Sequence, residues 1–573
     1  MARHVRALIP TRGTAAGGGI RAAIGRQGWF APAALVLGGG FLFLSLYPYA
    51  RLVLTSLREH GAFTFSHYLN VLRHDYLLRT PLLHSLAVSA ATAALATALG
   101  TLLAWLAVRT DLPGRRAITG LVAIPHIVPS FQLASSWIVL FGDAGIVQST
   151  TGLTPFPSYG VGPLVAVQTI HLTLFAYLNV AGALGSLDPS LEEAARACGL
   201  SARQVLRRVT FPLVLPAILS GMLLAFAYSM AEFGAPILLA APAGFGTLTT
   251  QIYELSTAPP LQFGEAAVLS LLLGVLALAT MALNVRLLAR GSFVTVSGKS
   301  SRGESESLGG LRGLFAALTW IWLAVTSIAP LAALVLISLL GSWGRGFGPE
   351  NLTLAHYSTM LASHSLTHAL WNSVGLALGA AALAAATGFI AAYGAVRLKT
   401  SWGALLDRMS FVNFATPGLV VGIAFILAFS GPPVNLFGSY WILLFAYFVH
   451  FAGLGVRGVS AHLRQLSVEL EEAGSVSGLA PSRVLARITL PLLRESLAAG
   501  FLLVFVNAIK EVSMTSLLAS QGTETLAYEA FLRYSDGDYT VGSAYSVLMV
   551  AIALAGSLII ARRSRLASGE LPT

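Results

Sequence analysis

Twelve stretches of mostly apolar residues, each close to the length that crosses a bilayer, constrain this chain more than any other feature. A bilayer core needs about 20 apolar residues per helix. Such segments run over 33–57, 83–107, 118–142, 161–183, 213–240 and 263–289, and again over 313–340, 369–397, 406–430, 437–460, 492–519 and 540–562. Apolar residues make up 55% of the chain and charged residues 10%. A soluble surface needs roughly 25% charged residues, so most of this one must face lipid. The expected fold is all-α and polytopic, with about 12 transmembrane helices. The single cysteine, Cys198, excludes a disulfide framework and any multi-thiolate metal site within the chain.

The net charge of +11 is carried mainly by arginine. In a membrane protein that excess marks cytoplasmic loops and not a nucleic-acid surface. Arg115 and Arg116 lie between spans 2 and 3, and Arg196, Arg203, Arg207 and Arg208 between spans 4 and 5. Arg562, Arg563 and Arg565 follow span 12, whereas 143–160 has neither Lys nor Arg. The expected topology has both termini in the cytoplasm. Residues 1–30 form an N-terminal tail, 31–290 a first unit, 291–312 a Gly/Ser-rich linker, 313–565 a second unit and 566–573 a C-terminal tail. Gly298-Lys299-Ser300 in the linker ends like a phosphate-binding loop, but position 293 is Phe where that motif needs Gly.

The two units are copies. His84-Ser85, Gly100 and Pro129 recur 288 residues later as Asn372-Ser373, Gly388 and Pro417. Glu193, Gly199, Pro212 and Glu232 recur 279 residues later as Glu472, Gly478, Pro491 and Glu511. Six spans per copy put both the same way up. That predicts parallel repeats about a pseudo-twofold axis along the membrane normal, with a path at their interface.

The loops between spans 4 and 5 of each copy read as two short helices joined by a turn. Asp188 suits an N-cap with Pro189 in the first turn, and Gly199 suits a left-handed C-terminal residue. Ser201 and Gln204 have capping-box spacing. Ser467 stands where Asp188 does, and Pro481 opens the second helix of its loop. The small residues Ala194, Ala195, Ala473 and Gly474 would let another protein approach closely. Glu193 and Glu472 offer it a carboxylate each.

Glu193-Ala194-Ala195, Gly199, Val209, Phe211 and Pro212 match, spacing for spacing, the coupling-loop signature of bacterial ABC-type importer permeases. Phe211 replaces the usual Leu. Glu472-Ala473-Gly474, Gly478, Ile488, Leu490 and Pro491 match again, with Gly474 for the second Ala. The chain therefore resembles that family over about 31–290 and 313–565. The fused pair of units, with Glu232-Phe233 and Lys510-Glu511-Val512 in the fifth span of each, looks most like the iron(III) permeases. The resemblance implies two six-helix permease units in a bacterial inner membrane. Two copies of a cytoplasmic ATPase would dock on the two loops, and a periplasmic binding protein would deliver the solute. ATP is then used by the partner, and no cofactor is expected on this chain. The expected solute is iron(III); neighbouring members carry thiamine, phosphonates, polyamines, sulfate or sugar phosphates.

Charges at membrane depth are costly, so Glu232, Lys510 and Glu511 are candidates for the path. The alternative is a buried glutamate braced by a helix end or by the other half. Lys510 and Glu511, adjacent on a helix, would point about 100° apart. His126, His171 and His450 are more readily explained as hydrogen-bonded structure than as metal ligands, and no metal site is assigned. Pro125, Pro129 and Pro417 should kink their spans and free carbonyls. A secondary transporter of the major facilitator kind also has 6+6 parallel repeats, but it needs no coupling loops. No catalytic constellation supports a membrane-embedded enzyme.

Overall fold

The computed structural model describes residues 30–143, 145–290 and 306–567. The N-terminal tail, most of the linker with Gly298-Lys299-Ser300, and residues 568–573 lie outside these. The regular structure of the described chain is helical apart from two short hairpins, β1 (Arg58–Glu59) with β2 (Ala62–Phe63), and β3 (Ser430–Gly431) with β4 (Val434–Asn435), and two isolated bridges, Thr110 with Glu306 and Leu340 with Leu352. Among the described residues eleven helices are long and apolar enough to cross a membrane, and a bent pair makes a twelfth span.

In the first half, span 1 is α1 (Gly39–Ser56), followed by a short surface helix, α2 (Ser66–Arg73). Span 2 is α3 (Arg79–Arg109). Span 3 is two helices, α4 (Ile118–Ile127) and α5 (Ser130–Phe141), and span 4 is α6 (Val161–Ser186). The loop helix α7 (Pro189–Ala197) precedes span 5, α8 (Phe211–Ala231). Two short helices, α9 (Gly234–Leu239) and α10 (Leu248–Thr257), lead to span 6, α11 (Phe263–Arg290).

The second half repeats this order. Span 7 is α12 (Arg312–Leu323) and α13 (Ala329–Ser338), then comes α14 (Ala355–Ala362), and span 8 is α15 (His364–Ala392). Span 9 is α16 (Ser401–Ala415) with α17 (Gly418–Phe429), and span 10 is α18 (Tyr440–Gln465). The loop helix α19 (Glu469–Val476), span 11 as α20 (Leu490–Ile509), and the short α21 (Thr515–Leu518) and α22 (Leu526–Ser535) follow. The chain ends in span 12, α23 (Tyr539–Ala567).

The repeated landmarks are the fasteners of each copy. The Ser85 hydroxyl accepts from the Leu248 N–H at 2.9 Å, and Ser373 accepts from Leu526 at 2.7 Å. Each serine thus satisfies an orphan donor at the start of α10 or α22. His84 and Asn372 hold the carbonyls of Gly246 and Gly522 just before those helices. Gly100 lets α3 touch α6 backbone to backbone, since a Cβ there would lie 2.7 Å from the Cβ of Ala176. Gly388 does the same between α15 and α18, where a Cβ would meet the Gly455 carbonyl carbon at 2.9 Å.

Three expectations are corrected. Spans 3 and 9 are broken and not merely kinked. The breaks fall at Pro129 and Pro417, with α16 and α17 bent by 110°, whereas Pro125 stays inside α4. The fifth span of each half ends at Ala231 or Ile509 instead of running on to 240 or 519. The second helix of each coupling loop is no separate element: it runs through a π turn, Leu206–Thr210 or Leu485–Thr489, into the membrane helix. Pro212 and Pro491 lack the N–H that regular α-bonding would use there, and the wider turn accommodates that. The halves also pack across one another. Span 1 lies against α17, with the Arg51 guanidinium donating to the Leu427 carbonyl at 3.1 Å. Span 7 lies against α4 and α5, where Ser327 donates to the Leu121 carbonyl at 2.8 Å.

Candidate functional site

A cavity of about 210 Å³ lies between the halves, near the midpoints of α6 and α18. Both proline breaks, both histidines at pseudo-equivalent positions, and Glu232, Lys510 and Glu511 line it. The sequence-predicted path residues are therefore brought together at the interface of the two units.

Local backbone chemistry explains each side chain. In an unbroken helix the carbonyl of Pro125 would accept from residue 129, but Pro129 has no N–H. The His171 Nδ1 donates to that carbonyl at 2.9 Å. In the second half Pro417 orphans the carbonyl of Asn413, and His450 Nδ1 takes it at 3.2 Å. A carbonyl only accepts, so both rings carry their proton on Nδ1. His171 and His450 are thus structural, 279 residues apart like the other landmarks. The break also frees the carbonyl of His126, and Lys510 Nζ crosses from the second half to donate to it at 2.7 Å. His126 has no histidine counterpart, since Phe414 stands in its place. Its ring lies 4.9 Å from those of His171 and Phe175.

Glu232 and Glu511 sit at helix breaks, so the expectation of a continuous helix with Lys510 and Glu511 fanned about it does not hold. Glu232 Oε1 accepts from the N–H groups of Phe233 and Gly234, both at 3.1 Å, and from the Ser130 hydroxyl at 2.5 Å. Glu511 accepts from the N–H groups of Met514 and Thr515 at 2.9 and 3.1 Å and from the Thr515 hydroxyl at 2.9 Å. Each carboxylate caps the short helix that follows it. The copies differ in one respect: Ser130 corresponds to Gly418, where a Cβ would lie 3.3 Å from Glu511 Oε1.

On one side the cavity is stopped by aromatic rings from both halves. Phe131 stands 6.2 Å from Phe531 and 6.3 Å from Tyr534, and Phe233 stands 5.9 Å from Phe531. Beyond them opens a second cleft of about 570 Å³ lined by Tyr159, Tyr253 and Tyr539 among others. Among the described residues no group of three or more His, Cys, Asp or Glu side chains gathers as a metal site.

The coupling loops follow their predicted caps closely. Asp188 accepts from Ser190 N–H at 3.0 Å, and Gly199 and Gly478 both adopt a left-handed φ of 83°. Ser201 and Gln204 form the reciprocal pair. Ser467 instead accepts from Glu469 N–H, one residue ahead of the cap position. Glu193, Ala194, Glu472 and Ala473 are exposed. Gly474 is buried and Ala195 half-buried, so the four small residues do not all present an open face to a partner. At Gly474 a Cβ would meet the Ile488 side chain at 2.5 Å, so its smallness serves packing inside the loop.

Sequence reasoning missed the residue beside each exposed glutamate. Glu192 meets Arg109 at 3.3 Å and accepts from the Thr210 hydroxyl at 2.7 Å. Glu471 meets Arg397 at 3.3 Å and accepts from the Thr489 hydroxyl at 3.0 Å. These side chains are at most 17% exposed. The signal was present: Arg109 and Arg397 obey the offset of 288, and Glu192 and Glu471 that of 279.

Two copies in one chain, each with a short exposed loop helix between its fourth and fifth spans, meet at a central cavity, the layout of a two-unit membrane transport subunit. The chain belongs to the family described as binding-protein-dependent transport system inner membrane component, whose profile matches twice, over residues 96–291 and 384–566. It is 27% identical over 527 residues to the ferric transport system permease protein FbpB of Actinobacillus pleuropneumoniae, covering 90% of this chain and 75% of that one. It is also 27% identical to the Fe(3+)-transport system permease protein FbpB 2 of Haemophilus influenzae, over 79% of this chain and 84% of that one. A Salmonella typhimurium chain named for 2-aminoethylphosphonate transport, PhnV, is 28% identical over 39% of this chain and 84% of its own length. The chain is thus a fused two-unit ABC-importer permease and a multi-pass membrane protein. It is not an enzyme; ATP hydrolysis belongs to a separate subunit.

Proposed function

We propose that this permease moves iron(III) inward across the cytoplasmic membrane. The carrying observation is that relatives named for ferric transport match it along most of its length, with both units fused as here. Two exposed docking helices support two copies of the ATPase, one on each. Arginine placement supports a topology with both termini and the linker in the cytoplasm, and hence docking helices on that side. A periplasmic binding protein delivers the solute to the opposite face. Glu232, Lys510 and Glu511 then lie on the path, their charges neutralised by helix ends and carbonyls. This arrangement leaves solute choice mainly to the binding protein. Phosphonate import is the second reading, favoured by the likeness of one unit to PhnV.

The test is uptake of radiolabelled iron(III) and of 2-aminoethylphosphonate in a strain deleted for this permease, with and without the gene restored. Restored iron uptake supports the proposal. Restored phosphonate uptake alone replaces it with the second reading.

A further inference from the structure

Each docking helix presents one glutamate outward and the preceding one inward. The inward pair, Glu192 and Glu471, ties two membrane helices to the docking helix at once. Through Arg109 and Arg397 it grips the last residue of span 2 and of span 8 with its π turn. Through Thr210 and Thr489 it grips the start of spans 5 and 11. Arg397 also donates to the Leu466 carbonyl at the end of α18, at 2.9 Å.

The contact chain continues inward in the same order in both copies. Span 2 is locked to span 4 at Gly100, and span 8 to span 10 at Gly388, with no side chain between the backbones. Spans 4 and 10 carry His171 and His450, which hold the carbonyls beside the proline breaks. Just past those breaks stand Ser130 and Gly418, next to Glu232 and Glu511 at the cavity.

We infer that the Arg109–Glu192 and Arg397–Glu471 pairs are positioning residues that convey movement of the docking helices to the broken spans around the cavity. The inference rests on the docking reading above. Exposed Glu193 and Glu472 hold the ATPase, and buried Glu192 and Glu471 make its motion felt. Two arginines of one sign at equivalent helix ends also suit the negative end of a helix dipole, so the clasp is favoured on both sides.

The experiment uses the full chain co-expressed with its ATPase and reconstituted in vesicles, in a Cys198→Ser background. Asn507→Cys places one thiol at the cavity, and a water-soluble maleimide reports its accessibility with and without ATP and vanadate. No solute is needed. In the parent, nucleotide trapping changes the labelling rate, on the order of tenfold for a gated cavity. In Glu192→Gln with Glu471→Gln, that change shrinks to less than about twofold while the ATPase still co-purifies. Exchanging the charges, Arg109→Glu with Glu192→Arg and likewise in the second copy, restores part of the response. An unchanged response in the glutamine variant overturns the inference alone. So does a diminished response that tracks loss of bound ATPase, because the pairs then only brace the docking surface. Failure of the parent to retain any ATPase overturns the docking reading and the inference with it. Should the double variant fold poorly, the single variants Thr210→Val and Thr489→Val loosen the same clasp, with the same two outcomes.

Discussion

Lys510 of the second half donates to the main-chain carbonyl of His126 in the first half at 2.7 Å. This is a cross-brace between the copies, and it exists because Pro129 ends a helix whose carbonyl would otherwise be bonded internally. Its counterpart in the first half is Ala231, so the brace occurs on one side of the pseudo-twofold axis.

Lys510→Met should therefore leave the His126 carbonyl buried without its donor. Loss of one partner of a buried polar group costs about 1–3 kcal/mol. Unfolding of the purified protein in detergent, followed by tryptophan fluorescence, should show that loss, and Lys510→Arg should show less of it. Equal stability of the methionine variant and the parent would remove the brace.

His171 and Pro129 should behave as a coupled pair. His171→Ala alone strands the Pro125 carbonyl. Pro129→Ala restores an N–H at the position that could serve it. The double variant should lose less stability than the sum of the singles, by about 1 kcal/mol. Strict additivity, measured by the same unfolding assay, contradicts the account given for the histidine.

All three hydrogen bonds to Glu232 fall on Oε1, which a glutamine oxygen can keep, whereas Glu511 accepts through both oxygens, so Glu511→Gln sets an amide nitrogen against a donor. The expected effect is a loss of about 1–3 kcal/mol in folding stability. Ser130→Ala removes one donor from Glu232 only, and its effect should be smaller. Uptake normalised to folded protein separates this bracing role from a role in conduction. A stable Glu511→Gln protein with abolished uptake would mean that conduction dominates.

Glu193→Lys and Glu472→Lys should leave unfolding unchanged, because both side chains face solvent. Surface changes of this kind are usually within about 0.5 kcal/mol. Docking of the ATPase should weaken, since a charge pair buried at an interface is worth about 2–5 kcal/mol when one partner is lost. Co-purification of the ATPase with the double variant is the measurement. Full retention would free these glutamates from the interface.

Gly100→Val should be among the most damaging single changes. The new side chain would enter the backbone contact between α3 and α6, and overpacking typically costs about 1–3 kcal/mol or more. The yield of monodisperse protein in detergent reports it, and a normal yield would show that the two helices can part.

The spans and the duplication could be read directly because hydropathy and non-apolar landmarks both survive as one-dimensional patterns. The capped turns of the coupling loops were readable for the same reason: Asp188, Gly199 and Gln204 act within a few residues of themselves. What could not be read was direction. Glu192 and Glu193 are equally acidic in a string of letters. Only the helix phase, fixed by packing against Arg109 and Thr210, turns one inward. The ends of spans 5 and 11 were misplaced because Phe233 to Leu239 is as apolar as the helix before it, so hydropathy passes over the break that Glu232 caps. Pro125 and Pro129 look alike as breakers. Pro125 is carried within the α4 helix, whereas Pro129 leaves it and starts the next.

The crossed packing of spans 1 and 7 has a consequence for how such a chain is held in one piece. Arg51 on Leu427, Ser327 on Leu121 and Lys510 on His126 all join the halves outside residues 291–305. The Thr110–Glu306 backbone pairing and the Arg196–Glu306 ion pair likewise fasten the chain just beyond that segment. A polypeptide nicked within 291–305 would keep every one of these clasps. Covalent continuity then contributes effective concentration and a fixed one-to-one ratio of halves, and two separately translated pieces could reassemble the same interface.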